Sequence, residues 1–270
     1  MLLLAFLLVA GVTVWAQRWR RGPRDLSNPA DRRGVPIWEK DREIPKDVFT
    51  FVRIRYSSFG WGRGGGDWST DYPDAELNLS WRLQQMTSYK VDPNGKVMEL
   101  NDPELFDYPF IYIIEPGRLY FDESEVVNLR KYLLNGGFLM VDDFWGEDEW
   151  DNFYQQMKRV FPDREPQEVP VEHPIFQTVF PTKEKPQIPS INMAQAGRYS
   201  GRTWERADAR EPHFKAYYDD KGRIMAFVCH NTDLGDGWER EGEDPWYFKE
   251  FSEKKAYPLG INIIVYAMTH

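Results

Sequence analysis

The chain has one cysteine and four histidines in 270 residues. A single cysteine rules out an internal disulfide and any cysteine-rich zinc module. Four scattered histidines with no H-E-x-x-H pattern leave no basis for a histidine zinc centre. No G-K-[ST] follows a glycine-rich stretch, so there is no nucleotide P-loop. Basic residues are in the minority: 34 Lys and Arg stand against 43 Asp and Glu, a formal charge of −9. Nucleic-acid binding requires a basic surface to displace counterions, so no nucleic-acid partner is expected. A mean hydropathy of −0.63 excludes a chain that crosses a membrane many times.

What the chain does have is core material. It is 41% hydrophobic and 16% aromatic, with 11 Trp, 14 Tyr and 17 Phe. That is too rich for a disordered chain, and the length suffices for one large core.

Leu2–Val14 is uncharged and apolar. As a helix it spans roughly 20 Å, short of the ~30 Å hydrocarbon layer. Val14-Trp15-Ala16 fits the small-x-small pattern of a signal-peptidase site, so residues 1–16 read as an export signal. Arg18, Arg20 and Arg21 follow at once. Positive charge there favours the cytoplasmic side, so an uncleaved anchor is the alternative. The expected location is exported, periplasmic or membrane-anchored in a bacterium. Residues 17–47 form a basic, proline-containing linker. From Arg18 to Arg33 it carries +4, leaving −13 for the rest. The plain reading is a solvated tether, with contact to anionic headgroups as the other.

Residues 48–270 read as one α/β domain. Val48–Tyr56 alternates as a strand. After a glycine-rich loop, a helix is expected from Asp71, with Asp71 and Asp74 as a capping box. Phe110–Ile114 and Gly137–Val141 are continuous apolar strands of the kind buried on both faces. Helices are expected over Asp122–Asn135, Glu147–Val160 and Ala256–His270. Phe214–Tyr218 and Arg223–Cys229 suggest a hairpin. The alternation is that of a parallel sheet. Residues 162–212 are proline-rich and too long for a simple loop, so they read as a structured excursion over one end of the sheet.

Several segments, in order, carry a resemblance. They include FTFVRIRY, WSTDYPDAELNLSWRLQQMT, DPELFDYPFIYIIEPG, LRKYLLNGGFLMVDDFWG, MKRVFPDR, NTDLGDGWE and YPLGINIIVYAMTH. Over residues 48–270 the chain resembles the bacterial domain-of-unknown-function family numbered 4159 in the DUF series. The resemblance implies the class I glutamine amidotransferase-like fold, a flavodoxin-like doubly wound, mostly parallel sheet. It also implies membrane-anchored or exported chains. It carries no activity with it.

Ligands of open α/β sheets bind beyond the carboxyl ends of the strands. The rule selects Ser57 and Ser58, Glu115 to Gly117, Asp142 and Asp143 with Trp145, and His230 and Asn231 with Asp233. By resemblance, Asp142 or Asp143 stands where amidotransferases carry their cysteine. A carboxylate cannot repeat thiolate chemistry, so that activity is not expected. Asp142 and Asp143 either hold a metal or polar ligand or cap the next helix. Asp67, Asp71 and Asp74 form one further acidic cluster, and Asn231, Asp233 and Asp236 another. If these converge on Asp142 and Asp143, an oxygen-rich site for a hard divalent cation results. Cys229 and His230 are adjacent on a strand and point to opposite faces, so they do not pair. Gly60, Gly62 and Gly65 satisfy G-x-G-x-x-G, a pattern that a glycine-dense run meets almost automatically.

Two functions follow. One is a non-catalytic binding or scaffold module at the cell envelope, its exposed aromatics taking a protein or small polar ligand. The other is a metal-assisted hydrolase using Asp142 and Asp143. They are separated by whether the tryptophans are exposed, and by whether Asp142, Asp143, Asn231 and Asp233 face one cavity.

Overall fold

A computed structural model describes residues 24–41, 47–58 and 68–270. The export-like segment and the glycine-rich run Phe59–Asp67 lie outside the described residues. The strands, in chain order, are β1 (Val52–Ile54), β2 (Ser57–Ser58), β3 (Lys96–Met98), β4 (Phe110–Ile114), β5 (Leu119–Tyr120), β6 (Phe138–Asp142), β7 (Gln167–Glu168), β8 (His213–Tyr218) and β9 (Ile224–His230). Seven form one mixed sheet, ordered β3-β1-β4-β6-β9-β8-β7. Neighbours from β3 to β9 are parallel, while β8 and β7 are added antiparallel. β2 and β5 pair separately.

The apolar runs explain the centre. β4 and β6 pair in register from Phe110 opposite Phe138 to Ile114 opposite Asp142. Side chains alternate across a strand, so each run supplies two cores. Phe110, Tyr112 and Ile114 face α1 (Asp74–Met86) and the C-terminal helix. Ile111, Ile113, Leu139 and Val141 face α2 (Glu123–Leu134) and α3 (Gly146–Val160). Each fully buried aliphatic side chain contributes about 1.5–3 kcal/mol. α2 starts on a capping box formed by Asp122 and Glu125. The remaining helices are α4 (Ile191–Gly197), α5 (Leu234–Glu239), α6 (Pro245–Tyr247) and α7 (Tyr257–Thr269), with π-helical Phe248–Ala256 leading into α7. Among the described residues no helix is long and apolar enough to cross a membrane.

Two local expectations change. The Asp71–Asp74 capping box does not form: α1 begins at Asp74 with no side-chain cap. Asp74 instead accepts from Arg24 at 2.9 Å and pairs with Arg33 at 3.0 Å. The described part of the linker is docked. Arg32 is fully buried and donates to the carbonyls of Leu26, Val35, Pro36 and Pro93 and to Asn94 Oδ1. A guanidinium has five N–H donors, and this stretch supplies acceptors for them. The excursion over 162–212 is structured, carrying β7, a 3-10 turn at Pro174–Phe176 and α4.

Candidate functional site

β1, β4, β6 and β9 run parallel, so their carboxyl ends lie on one side of the sheet. The chain beyond each of them holds a non-glycine residue in the left-handed region. These are Asp71 (φ 62°), Glu115 (φ 47°), Asp143 (φ 56°) and Asn231 (φ 60°). Such residues are uncommon, and they persist where the surrounding structure over-determines them. Three of the four line one cavity of about 270 Å³; Asn231 does not.

Asp71, Asp143 and Asp233 are buried in that cavity, and one oxygen from each lies within 4.8 Å of the others. Each has limited outside support. Asp143 Oδ1 accepts from Trp145 Nε1 at 3.0 Å. Asp233 Oδ1 accepts from Asp236 N at 2.7 Å and so caps α5. Asp71 Oδ2 is buried and has no N–H or hydroxyl donor among the described residues; the Glu239 carboxyl is within hydrogen-bonding reach of Asp71. Burial raises all three carboxyls well above the usual carboxylate range. Neighbouring carboxylates raise them further: chiefly Asp236 and Glu239 for Asp71, Glu115 for Asp143, and Asp143 for Asp233.

A second acidic group, Asp71 with Asp236 and Glu239, differs in kind. Arg240 already lies 2.8 Å from Asp236 Oδ1 and 3.0 Å from Glu239 Oε2. Asp236 Oδ2 also accepts from Ile191 N at 2.5 Å. Arg240 thus meets part of the charge of Asp236 and Glu239, whereas among the described residues no Lys or Arg pairs with Asp71, Asp143 or Asp233. Carboxylate oxygens at this spacing are the donor set of a hard divalent cation.

The sequence candidates separate clearly. Glu115, Asp143, Trp145 and Asp233 line the cavity. Asp142 does not. Its Oδ2 accepts from Tyr112 OH at 3.2 Å and Gly235 N at 3.0 Å, and its Oδ1 is unpartnered. Burial pushes this carboxyl up to about 7. Asn231 braces the start of α3, accepting from Gly146 N at 2.9 Å and donating to Glu211 O at 3.0 Å. Ser57 and Ser58 are exposed on β2, opposite Tyr120 and Leu119, away from the cavity. Neither Asp142 nor Asp143 caps α3; Glu149, Asn231 and Asp208 receive its first N–H groups. Cys229 is buried in the core, and burial raises its thiol. His230 is buried against Phe144 and Trp150, and desolvation lowers its imidazole to about 4.

Other residues come from places the strand-end rule does not reach. Asp71 reads in sequence as a helix cap, and only its membership of an acidic cluster hinted otherwise. The excursion supplies Ser190, Asn192, Glu205 and Arg206 to the cavity wall, with no local motif to mark them. Arg53, on β1, donates to the carbonyls of Trp68 (2.9 Å) and Thr70 (2.7 Å), while its Nε meets Glu76. It therefore clamps the backbone that presents Asp71. Gly235 gives Asp71 room: a Cβ there would stand 2.5 Å from Asp71 Oδ2.

Fold and site together define a class: a mixed α/β domain with a carboxylate-lined cavity at the carboxyl ends of its parallel strands. The chain belongs to the family described as Domain of unknown function (DUF4159), whose model matches residues 50–268. No curated protein matches the chain.

Proposed function

We propose that this domain binds a hard divalent cation through Asp71, Asp143 and Asp233, and that the ion presents an open coordination face to a small polar ligand in the cavity. The observation that carries the reading is Asp71: its Oδ2 is buried without a donor among the described residues, and one of its carboxylate oxygens lies within 4.8 Å of oxygens of Asp143 and Asp233. Burying an uncompensated carboxylate is costly, and an ion removes the cost. Oxygen-only donors favour Mg²⁺, Mn²⁺ or Ca²⁺ over zinc or copper. The reading is of a binding module. None of the eight described tryptophans is exposed, so it rests on the cavity rather than on an aromatic surface.

Taken in chain order, the parallel strands lie second, first, third, fourth, fifth across the sheet. That order supports a flavodoxin-like, doubly wound arrangement of the class I glutamine amidotransferase-like kind. We take the turn after β6 as the position of the amidotransferase cysteine; it holds Asp143, so the reading assigns no thiolate chemistry. We place the body at the cell envelope on the strength of Leu2–Val14.

The test is calorimetric titration of the metal-stripped chain with Mn²⁺, Mg²⁺ and Ca²⁺. One ion per chain is expected, with at least a hundredfold loss in Asp143→Asn and in Asp71→Asn. Unchanged affinity in folded variants overturns the assignment.

A further inference from the structure

The sequence holds two Asn-Gly pairs, Asn94-Gly95 and Asn135-Gly136, and the fold holds them very differently. In such a pair the glycine nitrogen can reach the asparagine side-chain carbon with no Cβ in the way. That approach requires a side chain free to turn and a main chain free to follow it.

Asn94 has neither freedom. Its Oδ1 accepts from Arg32 Nη1 at 2.7 Å, and Arg32 is itself buried and fixed by four carbonyls. The Asn94 N–H donates to Asp92 Oδ1 at 3.0 Å. Gly95 lies hard against the chain leading into β1. A Cβ there would stand 2.9 Å from Phe51 O, and the Lys96 N–H donates to that same oxygen at 2.8 Å.

Asn135 caps the end of α2 and is exposed. Among the described residues its side chain has no hydrogen bond. Gly136 (φ 103°) is open, with nothing within 4 Å of where a Cβ would stand. The Gly136 N–H reaches Leu133 O only at 3.4 Å, and that carbonyl already accepts from Arg223 Nη2 at 2.6 Å. The nitrogen that would attack is therefore weakly held.

We propose that Asn135 is a site of spontaneous deamidation. Gly136 N gives up its proton to solvent base and attacks Asn135 Cγ. The N–Cγ bond forms, the Cγ–Nδ2 bond breaks, and the departing nitrogen takes up a proton and leaves as ammonia. Water then opens the resulting cyclic imide at either carbonyl, giving aspartate or isoaspartate at position 135. Nothing is oxidised or reduced, and water is the only other reactant. Either product adds a negative charge at the C-terminal end of α2, where the helix dipole is already negative. Isoaspartate also lengthens the main chain by one carbon in the turn that leads into β6.

The test is peptide mapping by mass spectrometry after the full chain is aged in mildly alkaline buffer made up in ¹⁸O water. It is run on the folded protein and again in guanidinium chloride, where each reacting asparagine takes up one labelled oxygen. In the denatured chain the two pairs should react at similar rates, because both are Asn-Gly. In the folded protein Asn135 should react at least tenfold faster than Asn94. The product at 135 should be a mixture of aspartate and isoaspartate. Similar rates at the two positions in the folded protein would overturn the proposal, as would an Asn135 slowed by folding as much as Asn94. Aspartate alone at 135 would mean direct hydrolysis and would overturn the route through Gly136.

Discussion

Asp143 is the residue on which the site turns, and its environment makes a testable imbalance. Its carboxyl is held well above the ordinary range by burial and by Glu115. A group with a raised folded pKa contributes stability that is full below its unfolded pKa, near 4, and is lost as pH rises through the folded value. Without an ion, wild type should lose stability relative to Asp143→Asn as pH rises from about 4 toward neutrality. The companion Asp142, at about 7, titrates in the same window. Thermal unfolding in chelator at several pH values measures this; a difference independent of pH would contradict it. The same competition means ion binding must release protons, read as a buffer-dependent enthalpy. Gly235 is a second handle. Gly235→Ala places a methyl 2.5 Å from Asp71 Oδ2 and should weaken ion binding at least tenfold by titration.

At the scale of elements, the central strands were plain in sequence because each is a short apolar run bounded by turn residues, as in Phe110–Ile114 and Ile224–His230. The hairpin closed by Asp219 to Gly222 was equally plain. β3 was missed because Lys96–Met98 is three residues long and mostly unburied. α5 was missed because LGDGWE holds two glycines and no helical period. Asp71 was misread for a tertiary reason. Spacing alone makes it a cap for α1, whereas Arg53 draws Trp68 and Thr70 inward and turns Asp71 into the cavity. Arg53 is fully buried with Glu76, so Arg53→Met leaves a buried carboxylate alone. The expected cost is about 3–5 kcal/mol in urea unfolding. Glu76→Gln in the same background should recover part of it.

For the whole molecule, the acidic cluster was legible as three sequence segments but not as one place. Asp71, Asp143 and Asp233 are separated by an entire layer of helices in sequence, and only the sheet order brings them together. The excursion over 162–212 was recognised by length alone, and its contribution of Glu205 and Arg206 depends on how it folds back across the strand ends. The arm before β1 illustrates the converse. Its composition resembles a solvated tether, yet Arg32 is bound on all sides by carbonyls of the arm and of the turn after α1. Arg32→Ala should therefore cost ~2–4 kcal/mol, far more than a surface arginine. Chemical denaturation would show this, and a cost under about 0.5 kcal/mol would mean the arm is not part of the folded unit.

The docking of that arm also ties it to the neighbourhood of the cavity. Arg24 is fastened to Asp74, three residues from Asp71, and Arg33 reaches Glu243, itself beside Arg240 on the cavity rim. The described arm thus meets the domain beside the segments that supply Asp71 and Arg240 to the cavity wall. It is a brace laid across the start of α1 and the chain just after α5, the two places from which those cavity residues come.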